Sequence, residues 1–326
     1  MQGKEASEQE TKVKSSVGID VSKAWLDVHM LPAQESLRVA NTQDGIRRLK
    51  RRLMRLNLGL VVFEATGKWH RQLWRSLHAS GIPAAVIDPF RLRMFAKAQG
   101  IFAKTDRLDA AVLAAFAAVM TPAVRPPAAE AVEAIAELVT ARDSAVAEQT
   151  SLKNQMAAAS DSFLRRQLVR RIASLGKVIA ALERETKKRI LANPGLARRY
   201  AILTSIPSIG FVVAATLVAR LGELGALPDK AIAMLAGLAP IADQSGQREG
   251  KRVIWGGRAR VRRLLYLAAV GAVRCNPQMK AFYSRLRNAG KPAKVAIIAV
   301  ARKLVLLANT LIANNRTWMP DAPKPA

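Results

Sequence analysis

The sequence predicts a mixed-strand α/β domain followed by a largely helical remainder. Three observations predict it. Short apolar runs with strand patterning crowd the first hundred residues. Beyond them the apolar residues fall at helical spacing. Between the two regimes, Thr121-Pro122 and Pro126-Pro127 break the chain. A length of 326 residues gives two or three domains, each with its own core, and a hydrophobic share of 50% describes a folding chain.

The first region starts after a polar tail, residues 1–15. Ser16 to Val21 is an apolar run with an acid, Asp20, inside it. From Ala24 to Leu31, Trp25, Asp27 and His29 alternate with Leu26, Val28 and Met30, the pattern of a half-buried strand. Leu37 to Ala40 reads as a third strand. Thr42 to Leu56 is a helix, with Ile46, Leu49, Leu53 and Leu56 inward and a basic face outward. Leu58 to Phe63 is a strand ending on Glu64, Trp69 to His78 a helix, Ala84 to Ile87 a strand and Arg91 to Ala98 a helix. Adjacent strands followed by strand–helix alternation imply a mixed sheet flanked by helices.

Acids are scarce, so their positions are informative. The chain holds 52 Lys and Arg against 24 Asp and Glu, a formal charge of +28. That field draws polyanions, with nucleic acid the first expectation and an anionic membrane surface the second. One cysteine, Cys275, and three histidines exclude a disulfide framework and a zinc finger, and suit a reducing, intracellular compartment. The polar start does not read as a signal peptide. The apolar segment Ala293 to Ala313, interrupted by Arg302 and Lys303, reads as a buried or amphipathic helix rather than a membrane span.

Four carboxylates stand out. Asp20 lies in the first strand and Glu64 ends a later one. Asp106 and Asp109 sit in Lys104-Thr105-Asp106-Arg107-Leu108-Asp109, before the apolar run Ala110 to Met120. In a helix that pair shares one face of the first turn. Each acid alone reads as a cap. Together, in the order first strand, later strand, late helix, they match an RNase-H-like nuclease sheet, and four oxygen donors suit divalent ions clamping a phosphate.

In the middle region, Leu168, Ile172, Leu175, Ile179 and Leu182 form a heptad seam, and Ile135, Leu138 and Val139 begin a second stripe. Two long helices in an antiparallel hairpin follow, turning within 157–162. The seam serves either intramolecular packing or dimerisation. In the last region, Leu203 to Gly210, containing Pro207 and Gly210, joins helical runs 198–203 and 212–221 as a helix-hairpin-helix or an ordinary tight turn. A further helix spans Lys230 to Leu238. From Gln244 to Lys303 there are 15 Lys and Arg and one acid, Glu249. Arg248, Lys251, Arg252, Arg258, Arg260, Arg262 and Arg263 crowd its start, among glycines, as a nucleic-acid cradle. Ser245 sits at its edge; from spacing alone it is a turn residue.

These pieces together resemble a known family. Gly18-Ile19-Asp20-Val21-Ser22-Lys23, Glu64-Ala65-Thr66-Gly67, Lys104 to Ala110, Ser205 to Gly210, Ala236 to Pro240, Gln244-Ser245-Gly246, Arg262 to Tyr266 and Gly290-Lys291-Pro292 resemble, in order, DEDD-type insertion-sequence transposases, the bridge-RNA-guided recombinases. The resemblance implies a RuvC-like catalytic domain at 16–121, a coiled-coil region at 122–195, a C-terminal transposase domain at 196–314 and a tail at 315–326. It implies magnesium, with manganese as a substitute, on Asp20, Glu64, Asp106 and Asp109, and Ser245 as a nucleophile forming a 5′-phosphoserine link. Lys104 joins the basic residues that meet nucleic acid. The implied partners are donor and target DNA, a structured non-coding guide RNA and further copies of the chain, a dimer assembling to a tetramer. The implied location is the bacterial cytoplasm at the nucleoid, with no membrane role. Two other readings of the same residues are a RuvC-like junction nuclease using water and a non-enzymatic nucleic-acid-binding protein whose acids cap helices.

Overall fold

Strand β1, Ser15–Val21, is the centre of the first unit, which runs to Ala128. The computed structural model describes residues 14–101, 106–242, 244–245, 248–250 and 252–320, so most of both expected tails falls outside it. After β1 come β2 (Trp25–Leu31), β3 (Glu35–Ala40), α1 (Gln43–Leu53), β4 (Leu58–Glu64), α2 (His70–Ala79), β5 (Ala84–Ile87), α3 (Pro89–Ala98) and α4 (Asp106–Met120). The sheet order is β3-β2-β1-β4-β5. β1, β2 and β3 pair antiparallel, as short connections allow, while β4 and β5 join parallel through the α1 and α2 crossovers.

Strand periodicity divides the side chains between two cores. Val17, Ile19, Val21, Leu26, Val28, Met30, Val61 and Phe63 face α1 and α2, meeting Ile46, Leu49, Leu53, Leu73 and Leu77. Leu60, Val62, Ala85 and Ile87 face the other way, onto Leu92 of α3 and Val112, Leu113, Phe116 and Ala117 of α4. Local chemistry sets the helix starts. Thr42 caps α1 by accepting from the Gly45 N–H at 3.2 Å, and Asp88 caps α3 by accepting from the Phe90 N–H at 2.8 Å ahead of Pro89. Such caps are each worth about 1 kcal/mol.

The second unit starts at Ala129. Helices α5 (Glu130–Ala158) and α6 (Ser162–Ala192) turn within 159–161, inside the expected span, with Asp161 capping α6. Arg142 meets Glu183 at 3.0 Å, and the Gln149 amide donates to the Ile172 carbonyl at 3.1 Å, so the helices run antiparallel. Helix α6 packs along α5; of the anticipated seam Leu168 is buried, while Ile172, Leu175, Ile179 and Leu182 are half-buried. This pair is not a unit apart from the rest. Ile135, Val139 and Ile190 share a core with Ala215, and the expected boundary near residue 195 falls inside the second unit.

The remaining elements are α7 (Pro194–Ser205), α8 (Phe211–Arg220), α9 (Asp229–Leu235), the two-residue strands β6 (Pro240–Ile241), β7 (Gln244–Ser245), β8 (Arg248–Glu249) and β9 (Val253–Ile254), then α10 (Ala259–Cys275), α11 (Pro277–Asn288) and α12 (Ala293–Ala313). The apolar α12 is packed as a core helix, burying Val300, Ala301, Leu304, Val305, Ala308 and Leu311, and it packs against α7, α9, α10 and α11. One polar side chain, Asn309, is buried within it. Its amide donates to the Leu227 carbonyl at 3.1 Å and the Asp229 carboxylate at 2.8 Å, and its oxygen accepts from the Gly225 N–H at 2.7 Å. Helices α10 and α11, and the four short strands, are elements that the basic residues of this stretch concealed in the sequence.

Candidate active site and nucleic-acid interface

Two of the four carboxylates leave adjacent parallel strands side by side. Ile19 of β1 lies opposite Phe63 of β4, so Asp20 and Glu64 follow at the C-terminal ends of the two strands. By strand alternation both lie on the sheet face that carries Gly18, Leu60 and Val62, the face covered by α4. The seat of α4 is Gly18. A β-carbon there would stand 2.1 Å from the Ala110 carbonyl oxygen, 2.3 Å from the Ala114 nitrogen and 2.7 Å from the Leu113 β-carbon. Only glycine admits the helix backbone this close. Asp20 is two residues beyond Gly18 on the same face, and Asp109 immediately precedes Ala110. The sheet and the first turn of α4 therefore bring Asp20, Glu64 and Asp109 to one region, each with partly exposed surface. Asp106 begins α4; its side chain lies outside the described residues, as does Lys104.

A fifth acid shares this face, one that strand alternation alone does not set apart from its neighbours. Asp27 of β2 pairs in register with Asp20. It is only 8% exposed and is held by Arg38 of β3, whose Nε and Nη2 donate to its two oxygens at 2.7 and 3.0 Å. This ion pair offsets the repulsion that two carboxylates at opposed positions would feel. Beside it His29 bonds to Ser36 at 2.8 Å and Gln34 at 3.2 Å. A groove of about 420 Å³ runs past Asp27, Ser36, Arg38 and Ala110. As hard oxygen donors, Asp20, Glu64 and Asp109 suit a magnesium-like cation in chemistry. Among the described residues, no three acids, histidines or cysteines are close enough to enclose an ion.

Ser245 lies in the second unit, on a small arm. Strand β6 pairs with β9, with Pro240 opposite Ile254, and within that frame β7 pairs with β8, setting Ser245 opposite Arg248. The side chains of Ser245 and Arg248 lie outside the described residues, as does Lys251. The arm returns to the helices at a contact between two glycines. Gly257, with φ +64°, would bring a β-carbon within 2.4 Å of the Gly237 nitrogen, and the Arg258 N–H donates to the Leu235 carbonyl at 2.7 Å.

The arginines of the expected cradle divide into two groups. Arg258 is committed inward: it donates to both Glu223 oxygens at 2.6 Å and to the Arg220 carbonyl at 2.7 Å. Arg260 pairs with Asp143 of α5 at 2.5 Å, and Arg142 meets the other Asp143 oxygen at 3.3 Å. Burial, with the neighbouring Arg260 charge, lowers the pKa of Arg220 below the usual guanidinium range. Arg262 donates to the Gly256 carbonyl. Arg252 and Arg263 are exposed.

A transposase model of the DEDD IS110 type matches residues 17–164, and a model of the transposase IS116/IS110/IS902 family matches residues 200–284. The chain belongs to the IS110/IS116/IS902 transposase family. It is an enzyme of DNA recombination, and its DEDD domain is RNase H-like, as the mixed sheet indicates. The transposase is 26% identical over 317 residues to the pilin gene-inverting protein of Moraxella bovis, a match covering 94% of this chain and 98% of that one. It is also 31% identical over 127 residues to an uncharacterized protein of insertion element IS110 in Streptomyces coelicolor, covering 38% of this chain and 30% of that one. A match to a protein of insertion element IS900 in Mycobacterium paratuberculosis is 30% over 159 residues, covering 46% and 39%. The DEDD match spans Asp20, Glu64, Asp106 and Asp109; the second match spans Ser245 and the basic residues from Arg248 to Arg263.

Proposed function

We propose that this transposase cuts and exchanges DNA strands through a transient 5′-phosphoserine link at Ser245, with Asp20, Glu64, Asp106 and Asp109 holding divalent magnesium or manganese. The observation that carries the carboxylate part is the placement of Asp20 and Glu64 at the ends of adjacent parallel strands, under the helix that starts with Asp106 and Asp109. A cation bound there supplies neutralisation of charge at the scissile phosphate. The serine oxygen attacks phosphorus, an O–P bond forms, and the bond to the 3′-oxygen breaks, leaving a 3′-hydroxyl once that oxygen takes a proton. Attack by the 3′-hydroxyl of another strand reverses the step and joins the exchanged strands without ATP. The name of the Moraxella relatives, gene-inverting, describes an outcome that needs both cutting and rejoining, which supports strand exchange over hydrolysis.

The proposal extends to partners. Donor and target DNA lie along the basic residues, and a structured non-coding guide RNA selects both sites. The α7–α8 turn acts as a helix-hairpin-helix on the DNA backbone. The α5–α6 pair acts as a coiled coil through which dimers assemble to a tetramer; its exposed Phe163, Val169, Val178 and Leu191 support that role. The enzyme works in the bacterial cytoplasm, on the nucleoid.

Three measurements test the proposal. A covalent protein–DNA adduct is expected on denaturing gels and is lost in Ser245→Ala; cutting at full rate by that variant removes the serine role. Asp20→Asn and Glu64→Gln are expected to abolish cutting while DNA binding persists. RNA recovered with the purified protein is expected to be one defined transcript, and random cellular RNA overturns the guide.

A further inference from the structure

Beyond the ends of β1 and β4, on the far side of the catalytic carboxylates, two turns bring two lysines to one tryptophan. The first turn, Ser22-Lys23-Ala24, is closed by the Ser22 N–H and hydroxyl on the Trp25 carbonyl, at 2.9 and 3.0 Å. The second, Thr66-Gly67-Lys68, follows Glu64 and is closed by the Trp69 N–H on the Thr66 carbonyl at 3.0 Å. Asn41 fastens the two together: its side-chain amide donates to the Ser22 carbonyl at 2.8 Å and the Trp69 carbonyl at 3.2 Å. The Lys23 ammonium stands 5.7 Å from the Trp69 ring centroid and the Lys68 ammonium 5.1 Å, both within cation–π range. Their separation is bounded by the sum of those distances, about 11 Å.

This arrangement is electrostatically incomplete. Two cations converge on one ring, and among the described residues neither forms a salt bridge. Cation–π contacts at exposed sites are worth only about 0.5–1 kcal/mol each. They orient the ammoniums without neutralising them, so an anion is the missing partner. Position identifies the anion. Lys23 is three residues after Asp20 and Lys68 four residues after Glu64, which puts their α-carbons within roughly 11 and 14 Å of those acids even for extended chain. A strand laid over this rim of the sheet meets the carboxylates on the α4 side and the lysines on the α2 side.

We propose that Lys23 and Lys68, set on the Trp69 post, form a phosphate clamp that grips the DNA backbone next to the scissile phosphate. The clamp rests on the carboxylate reading only for the word scissile; its grip on phosphate is measured separately. Neither lysine takes part in bond making. They position the strand, and the Asn41 staple fixes the clamp to the strand ends that carry Asp20 and Glu64.

The test is the salt dependence of binding by the full chain to a fluorescein-labelled duplex of arbitrary sequence, for Lys23→Gln, Lys68→Gln and the double variant, with thermal melting as a check on folding. Each phosphate contact contributes about 0.9 to the slope of log K against log salt. Each single variant is expected to lower the slope by about 0.9. The wild-type to double-variant affinity ratio is expected to shrink about twelvefold between 50 and 200 mM salt. An exposed lysine of α6, Lys187→Gln, measures the effect of bulk charge alone. An unchanged slope in the clamp variants overturns the proposal, and so does an equal fall in Lys187→Gln. Asp20→Asn is expected to stop cutting with its slope intact. Cutting by Asp20→Asn would sink the carboxylate reading while leaving the clamp result standing.

Discussion

Gly18→Ala is the sharpest perturbation of the carboxylate site, because it changes no charge and touches no ligand. The added carbon would stand 2.1 Å from the Ala110 carbonyl oxygen and 2.3 Å from the Ala114 nitrogen, both backbone atoms that cannot swing aside. Bringing 2.1 Å to an ordinary contact of 3.4 Å needs about 1.3 Å of movement between β1 and α4. Overpacking of this kind costs about 1–3 kcal/mol in stability. Asp109 moves with α4 while Asp20 stays with β1, so the carboxylates separate by a comparable amount. Misplacement of about 1 Å costs on the order of 100-fold in rate, equivalent to about 2.7 kcal/mol of barrier. The assay is single-turnover strand cleavage beside urea denaturation, with DNA binding as a third readout. The expected variant folds with reduced stability, binds DNA as the wild type does and cuts about 100-fold more slowly. Wild-type cleavage and stability in Gly18→Ala would refute the argument that this contact sets the carboxylate spacing.

Other outcomes follow from the same geometry. Arg38→Ala strands the buried Asp27 carboxylate and is expected to lower stability by about 1–2 kcal/mol after allowance for the exposed side of the pair; Asp27→Asn added to it should restore part of that loss in urea melts. Arg258→Ala is expected to destabilise the protein by a similar amount with little change in DNA affinity, since Arg258 is spent on Glu223. Arg263→Gln should do the reverse, lowering the salt slope of DNA binding by about 0.9 at unchanged stability. Burial raises the pKa of Tyr200 above its ordinary value of 10.0. The folded state then disfavours the phenolate, so stability present below pH 10 falls as pH rises from there through the folded pKa. Urea melts from pH 9 to 11 are expected to show that loss, and Tyr200→Phe to flatten it.

Much of the first unit was legible because its physics is local. A charged residue in an apolar run, as Asp20 is, stands out against its neighbours, and the strand and helix periods located every element of the sheet to within a few residues. The relation between Asp20 and Glu64 was less accessible. Parallel register is set by crossovers and tertiary packing, and no residue near either acid announces that Ile19 will face Phe63. Asp27 escaped notice because alternation places polar and apolar residues in any half-buried strand; its burial and its Arg38 partner depend on β3. In the second unit the arginines from Arg258 to Arg263 read as one surface, whereas Arg258 and Arg260 carry inward pairs with carboxylates far away in sequence. Charge spacing reveals a helix face and says nothing of a partner on another element.

The Asn309 side chain has a consequence for how α12 finds its place. Apart from Asn309, the buried face of α12 is Ala, Val and Leu, and such a surface slides or rotates past apolar neighbours with little penalty. Asn309 converts that smooth rod into a keyed one, since its three hydrogen bonds to Gly225, Leu227 and Asp229 exist at a single depth and a single angle. A mis-seated α12 would bury that amide unsatisfied, at about 1–3 kcal/mol, so wrong alignments are penalised while the right one gains little. Asn309→Leu should therefore leave a chain that still collapses but loses its single alignment, visible as broadened amide resonances along 222–229.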